Sequence, residues 1–396
     1  MKWRVDMKKV VLAYSGGLDT SCCVKWLQDK GFEVICFSAD LGSEFSPQEL
    51  RKKARAGGVA RIYVEDLREE FARDYILPSL KANAVYESKY VLSTALGRPL
   101  IAKYLVDIAH KEQAEYVAHG CTGKGNDQVR IDTTVKILGP KLKIIAPVRE
   151  WELTSRESEI EYARNKNIPI SATKDKIYSI DQNIWGISIE GGMMEDLNNA
   201  PDEAAYVLTK HIDKTPDKAD YAELEFEQGV PVKVNGKKKK FLAIIELLNE
   251  LGGKHCIGRT DLVEDRTVGI KSREVYEAPA AWILIRAHQE LESVVLDKDT
   301  LGFKEIAGLK YAQLVYQGLW FSRLRRSLDA FMLLTQEKVT GTIKLKLYKG
   351  NISVVSRKSQ YSLYKKDLAT YGEKDQFNRE DAKGFIEIFS LPYRER

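Results

Sequence analysis

Between a short apolar run, Val10-Val-Leu-Ala-Tyr14, and a helical stretch reaching about Lys30 lies the string Ser15-Gly-Gly-Leu-Asp-Thr-Ser21. A strand that enters a helix through two adjacent glycines makes a tight connection. Glycine there lets main-chain N–H groups close on an anion with no side chain between. The helix that follows adds the positive end of its dipole, and the hydroxyls of Ser15, Thr20 and Ser21 add donors. The string has neither the Gly-x-x-x-x-Gly-Lys-Ser/Thr of a Walker A loop nor the Gly-x-Gly-x-x-Gly of a dinucleotide fold. It reads as a phosphate loop of another kind; a plain turn capped by Ser and Gly is the alternative.

The segments around it repeat the same strand-then-helix order. Glu33–Ser38, Arg61–Val64, Tyr116–Ala118 and Leu142–Pro147 read as further strands. Ser46-Pro-Gln-Glu49 and Thr154-Ser-Arg-Glu157 read as capping boxes, the second opening a helix to about Asn165. A long helical region from Leu67 to Gln113 is expected to be punctuated by Pro78 and by Gly97-Arg-Pro99. This order predicts an α/β fold with a doubly wound parallel sheet. Such sheets bind ligands at the carboxyl ends of their strands. Ser15-Gly-Gly17, Ala39-Asp40 and His119-Gly120 all fall there.

Past Pro169 the texture changes to α+β. Residues 176–192 read as loop-rich; Ala222, Leu224 and Phe226 alternate, and Asn235-Gly236 signals a hairpin. Residues 241–251 read as a helix and Thr340–Tyr348 as an antiparallel strand. The expected division is 1–170, 171–362 and a tail over 363–396 containing a helix from Arg379 to Ile388. That tail has too little core to bury Phe385, Ile386, Ile388 and Phe389, so docking on a neighbouring subunit is expected, with packing on its own domain as the alternative.

A second loop, His119-Gly-Cys-Thr-Gly-Lys-Gly-Asn-Asp-Gln-Val-Arg130, follows the fourth strand. It holds more charge, amide and glycine than a turn requires. Arg130 suits a substrate carboxylate and Asp127 an ammonium group; a glycine-rich surface loop is the bland alternative.

Together, Ala13–Ser21 and His119–Arg130 are similar to the paired signature of the argininosuccinate synthases, within the N-type ATP pyrophosphatases. The likeness continues through Tyr178-Ser-Ile-Asp181, Ile187–Gly192, Gly258–Glu264, Val268–Arg273 with Tyr276-Glu277, Tyr311–Ser322 and Thr340–Gly350. The phosphate loop alone would be shared with GMP, NAD and asparagine synthetases and with tRNA-thiolating enzymes. The resemblance implies an adenine nucleotide alpha hydrolase-like domain, a synthetase and multimerisation domain, and a C-terminal oligomerisation tail. It assigns ATP to Ala13, Tyr14, Ser15, Gly16, Gly17, Leu18, Asp19, Thr20, Ser21, Ala39 and Gly120. Aspartate falls to Thr122, Asn126 and Asp127, and citrulline to Tyr90, Asn126, Arg130, Ser179, Ser188, Glu264 and Tyr276. It further implies ATP as substrate with Mg2+ carried on the phosphates, a citrullyl-AMP intermediate and a homotetramer. No residue stands out as a general base. Cys121, Ala95, His255-Cys256 and Ala280-Ala-Trp282 depart from the family pattern, which has Ala, Ser, His-Gly and a Gly-Gly-Thr type segment there.

Composition excludes the rival classes. In 396 residues the 62 basic and 57 acidic side chains leave a net charge of only +5, and no clustered basic face argues for nucleic acid. Lys237–Lys240 follows the hairpin turn and reads as a solvated sheet edge. Arg323, Arg325 and Arg326 lie in an amphipathic stretch and read as an interface or salt-bridged face, while His110, His211 and His288 stand isolated. Five cysteines without a Cys-x-x-Cys pair predict free, buried thiols in a reducing compartment. Charges in Met1–Met7 argue against a signal peptide, and no apolar run approaches about 18 residues. A cytoplasmic, non-membrane enzyme of small molecules is expected.

Overall fold

The computed structural model describes residues 7–43, 46–168 and 178–395. The charged start Met1–Asp6 and the expected boundary at 170 lie outside the described residues.

Strands β1 (Lys8–Ala13), β2 (Phe32–Asp40), β3 (Arg61–Asp66), β4 (Tyr116–Ala118) and β5 (Lys143–Ile145) form one parallel sheet in the order β3-β2-β1-β4-β5. Successive side chains on a strand point to opposite faces. Val11, Ile35 and Phe37 accordingly enter one core, while Val10, Leu12, Val34 and Cys36 enter another. The first face is covered by the helix Ser93–Lys111, through Leu96, Leu100 and Leu105, and by Ile131 and Val135 of the helix Asn126–Leu138. The second is covered by the helix Leu18–Asp29, through Cys22, Cys23 and Leu27, and by Leu50 of the helix Pro47–Ala56. Apolar runs buried on both faces are what a doubly wound sheet requires. The strand order reverses between β1 and β4, so the switch-point crevice opens beside the two loops that follow those strands.

Two antiparallel sheets follow. β6 (Ser179–Asn183), β7 (Gly186–Glu190), β11 (Arg259–Asp265) and β12 (Lys271–Glu277) are ordered β11-β12-β7-β6. β8 (Asp220–Glu227), β9 (Val230–Val234), β10 (Lys237–Lys238), β13 (Gly341–Tyr348) and β14 (Asn351–Lys358) are ordered β10-β9-β8-β13-β14. Asn235 and Gly236 both take positive φ, 50° and 73°, the type I′ geometry that matches hairpin twist. The lysines after it form the exposed edge of that sheet. Trp185, at the tip of the β6–β7 hairpin, donates its indole N–H to the Val91 carbonyl at 3.0 Å, and Asn183 donates to the Ser93 carbonyl at 2.7 Å. These bonds fix the four-stranded sheet against the start of the helix Ser93–Lys111. One hydrophobic core runs from Val11 through to Leu347, across both halves of the chain.

Local expectations need correction at five points. Within 176–192, the described residues from Tyr178 form the β6–β7 hairpin, not a loop. The region from Leu67 does not break at Pro78: helical turns run through it to Lys81, and Asn83, Glu87, Ser88 and Leu92 take positive φ before the helix Ser93–Lys111 begins. Gly97-Arg-Pro99 sits inside that helix without ending it. The second capping box is shifted by one, with Ser155 and Ser158 exchanging the reciprocal bonds, while Ser46 accepts from the Glu49 N–H at 3.2 Å as a simple cap. The tail helix runs Arg379–Phe389 and buries none of its residues, leaving Phe385, Ile386, Ile388 and Phe389 exposed.

The departures in the second half have simple physical consequences. Cys256 takes φ 59°, the left-handed conformation that a glycine would adopt without strain. Ala280 and Ala281 are fully buried in the first turn of the helix Pro279–Val295, where small side chains fit. Cys22, Cys23, Cys36 and Cys256 are buried free thiols, and Cys121 is half-buried. Among the described residues no helix is long and apolar enough to cross a membrane.

Candidate active site

Two helices point their amino ends at the switch-point crevice, and neither carries a side-chain cap. Gly17 precedes the helix Leu18–Asp29, and Gly125 precedes the helix Asn126–Leu138. The first N–H groups of both are therefore left to a ligand, with the dipoles favouring an anion. Gly16 makes the turn at φ 73°, and the Gly17 N–H donates to Ser15 Oγ at 3.3 Å. Ser15 Oγ and Thr20 Oγ1 lie 3.1 Å apart, and Tyr14 Oη and Ser21 Oγ 3.3 Å apart. Gly120 brings the second loop onto the first: a Cβ there would lie 3.1 Å from the Thr20 methyl. Ala39 is the penultimate residue of β2, at the same sheet edge. Behind the loop, burial and the neighbouring Asp19 carboxylate push Glu159 up to about 8.

The four-stranded sheet supplies the facing wall. Strand pairing puts Glu264, Glu274, Tyr276, Ser188, Glu190, Asp181 and Ser179 on one face, with Tyr276 opposite Ser188 and Ser188 opposite Asp181. Ile187, Ile189 and Val275 point the other way, into a small core with Met194. The polar face meets the start of the helix Asn126–Leu138. Asn126 Nδ2 donates to Tyr316 Oη at 2.8 Å, and Tyr316 donates to Glu264 at 2.6 Å. Tyr276 donates to the other Glu264 oxygen, also at 2.6 Å. Asp127 lies between Arg98 at 2.8 Å and Arg130 at 2.9 Å, and Arg98 also pairs with Asp181. Two opposed pairs of charge thus meet beside Cys121 of the second loop. The chemistry they suit is recognition of molecules bearing both carboxylate and ammonium groups.

Comparison with known proteins agrees with this geometry. The family description "Arginosuccinate synthase N-terminal HUP domain" matches residues 9–169, and "Arginosuccinate synthase C-terminal domain" matches residues 178–396. The chain belongs to the argininosuccinate synthase family. It is 55% identical over 390 residues to an argininosuccinate synthase of Carboxydothermus hydrogenoformans, covering 98% of this chain and 97% of that one. An argininosuccinate synthase of Desulfitobacterium hafniense (strain Y51) is 54% identical over 393 residues, covering 99% and 96%.

Of the residues that the resemblance assigns to citrulline, the structure joins Asn126, Glu264 and Tyr276 through the network above, and Arg130 Nε donates to the Tyr316 carbonyl at 2.9 Å. Ser188 stands in the same sheet row as Tyr276, while Ser179 lies exposed on the edge strand of that face. Tyr90 stacks on Tyr276 at 4.2 Å, but its hydroxyl accepts the N–H groups of Thr94 and Ala95, both at 3.1 Å. It thereby replaces the missing side-chain cap of the helix Ser93–Lys111. For aspartate, Thr122 sits on the exposed loop before Gly125, and its carbonyl accepts the Gly125 N–H at 3.4 Å. His119 packs the loop: its Nδ1 accepts the Cys121 N–H at 3.1 Å and its Nε2 faces Asp132 at 2.7 Å.

Sequence reasoning named no role for Arg98, Asp181, Glu190, Arg266, Glu274 or Tyr316. Arg266 pairs with Glu190 at 2.6 Å and with Glu274 at 2.9 Å, and reaches the Lys124 carbonyl at 3.2 Å. It ties the β11–β12 turn to the second loop. Asp181, Glu190 and Tyr316 fall inside the family motifs given above, so their position was visible but their contacts were not. Arg325, discounted as a phosphate ligand, stacks on Trp320 at 4.1 Å and pairs with Asp329 at 2.7 Å. His288 is a buried hydrogen-bonding residue, with Asn83 and Gln336 each at 2.7 Å.

Burial pushes the Glu264 pKa up to about 7, with repulsion from Glu274 adding to the shift. The Tyr276 and Tyr316 donors and the Arg130 charge pull the other way. Asp127 is driven below the ordinary carboxylate range because Arg98 and Arg130 outweigh its desolvation.

Proposed function

We propose that this chain ligates L-citrulline and L-aspartate to argininosuccinate, a step of arginine biosynthesis, consuming ATP and releasing AMP and pyrophosphate. The observation that carries the reading is one bonded cluster, Asn126–Tyr316–Glu264–Tyr276, beside the Arg98–Asp127–Arg130 group and two uncapped helix ends. The loop from Ala13 to Ser21, with Ala39 and Gly120, takes ATP, and magnesium enters as part of that substrate on the phosphates. Arg130 receives the citrulline carboxylate, and Glu264 with Tyr276 and Asn126 receives its ammonium. Tyr90 lines this subsite through its ring, and Ser179 and Ser188 contribute hydroxyls. Thr122, Asn126 and Asp127 take aspartate, Arg98 completing the charge balance.

In this reading the ureido oxygen of citrulline attacks the α-phosphorus and pyrophosphate departs with the electron pair of the broken P–O bond. The aspartate amine then attacks the activated carbon, loses a proton, and expels AMP. The protein contributes positioning and charge stabilisation. Citrulline labelled with 18O in the ureido group tests this route. The label must appear in AMP; unlabelled AMP would overturn it.

The Glu264 environment gives a pH dependence. An ammonium group needs the carboxylate, so kcat/KM for citrulline is expected to fall toward tenfold per pH unit as the pH drops below about 7. Stability runs the other way. Because the folded pKa lies above the ordinary 4.5, Glu264 contributes stability that is full below 4.5 and lost as the pH rises through about 7. Opposed trends in citrulline kinetics and Tm check this, and a flat acid limb counts against it.

The reading keeps a nucleotide-binding domain over 1–170, a synthetase domain over 171–362 and an assembly tail over 363–396. It makes the enzyme a cytoplasmic homotetramer of small-molecule chemistry, without nucleic acid or membrane partners. The exposed apolar side chains of the helix Arg379–Phe389 support the assembly role. Light scattering on a chain ending at residue 362 is expected to give a smaller assembly than the full chain. An unchanged tetramer would refute the role of the tail.

A further inference from the structure

Asn126 and Arg130 stand one turn apart on the helix Asn126–Leu138 and Glu264 lies on β11, yet one residue contacts all three. We infer that Tyr316, the last residue of the helix Lys298–Tyr316, is the positioning residue that sets the citrulline subsite; the inference rests on the ligase reading above.

Its hydroxyl has one proton, donated to Glu264 Oε1 at 2.6 Å, and accepts from Asn126 Nδ2 at 2.8 Å. Asn126 Oδ1 in turn accepts the Thr267 N–H at 2.8 Å, so the amide has a single orientation consistent with both neighbours. The Tyr316 carbonyl, at the negative end of its helix, accepts Arg130 Nε at 2.9 Å. The Tyr316 ring lies 4.9 Å beneath the same guanidinium. With Nη1 on Asp127 at 2.9 Å, only Nη2 of Arg130 is buried without a partner among the described residues. Tyr316 therefore fixes the Glu264 carboxylate, the Asn126 amide and the free edge of Arg130 together. Gly318, at φ 77°, lets the chain pass so close that a Cβ there would lie 2.6 Å from Arg130 Cα. The ring is held by Tyr86, stacked at 3.7 Å.

Tyr316→Phe keeps both ring contacts and the carbonyl bond while removing the hydroxyl. It is expected to weaken citrulline binding about tenfold or more, with kcat at saturation within about threefold of the parent. Loss of one donor also destabilises the Glu264 carboxylate, so the acid limb of citrulline kcat/KM should move to higher pH. Fluorotyrosine at position 316 keeps the bonds with a stronger donor and should move that limb to lower pH; it serves as the readout where Tyr316→Phe does not fold. Tyr86→Phe, whose hydroxyl bonds the Asp265 carbonyl at 2.9 Å, should leave the limb in place. Glu264→Gln separates the two levels of the argument. If it retains citrulline affinity, the ligase reading of this site fails. If it loses citrulline while the Tyr316 variants neither weaken binding nor shift the limb, the positioning role alone is overturned.

Discussion

Asp127→Ala is expected to abolish measurable product formation and to cut kcat/KM for aspartate at least a hundredfold. The carboxylate does two things at once. It holds Arg98 at 2.8 Å and Arg130 at 2.9 Å, and in the proposed reaction it receives the aspartate ammonium. Truncating one member of a buried charge pair costs about 2–5 kcal/mol, most of it the penalty of the charge left behind. Here two guanidinium groups are left, although Arg98 keeps Asp181. Asp127 retains 31% of its side-chain exposure, which tempers the stability cost but not the loss of its ammonium-binding charge. About 3 kcal/mol is already more than a hundredfold in rate. Because the Asp127 pKa is depressed, its stabilising contribution is present above the usual 3.8 and lost only as the pH falls through the lower folded value. The Tm gap between parent and variant should therefore close only in strong acid. Near-normal aspartate kinetics in Asp127→Ala would contradict the assignment.

Gly16→Val is expected to remove ATP turnover while leaving citrulline binding in place. At φ 73° an L side chain costs roughly 1–2 kcal/mol, and a β-branched one lies at the upper end. The new Cβ would also stand 2.7 Å from Cδ2 of Leu50, a buried side chain of the helix Pro47–Ala56 that has little room to withdraw. Overpacking of this kind adds about 1–3 kcal/mol. The loop relieves both strains by rotating the peptide, which turns N–H groups away from the phosphate position. Gly236→Val is the matched control: it has the same φ of 73°, but nothing lies within 4 Å of its Cβ at the hairpin tip. It should lose some stability and keep full ATP turnover. Equal ATP kinetics in the two variants would show that loop geometry is not what matters.

Much of the architecture was legible because its signals are local. Val10–Leu12 and Val34–Phe37 are buried on both faces, so their continuous apolar runs marked a parallel sheet. Asn235-Gly236 needed only two positive φ angles to specify its hairpin. The β6–β7 hairpin stayed hidden for a functional reason. One face of Ser179–Asn183 looks into the crevice, so Ser179 and Asp181 stand where an alternating pattern would have apolar residues if that face were covered. Pro99 misled because the surrounding helix continues through it, whereas the true break uses positive φ at Asn83, Glu87, Ser88 and Leu92. Asn83 and Ser88 are common turn residues, but Glu87 and Leu92 carry no turn signal at all.

In the site, residues next to a glycine motif were legible and residues that act by convergence were not. Asn126 and Asp127 follow Gly125 directly, and Arg130 stands one helical turn beyond Asn126. Arg98 sits in Gly97-Arg-Pro99, which reads as a helix breaker, and Tyr316 lies 186 residues from Arg130, the guanidinium it supports. Only tertiary packing brings such groups within 3 Å of one another.

The central claim is that one site couples nucleotide cleavage to two amino acids. Release of AMP and pyrophosphate from ATP, followed with citrulline and aspartate each present or withheld, tests it most directly. AMP and pyrophosphate should accumulate in equal amounts with sustained turnover only when both amino acids are supplied. Sustained pyrophosphate release with neither of them, or only on addition of tRNA, would contradict the account.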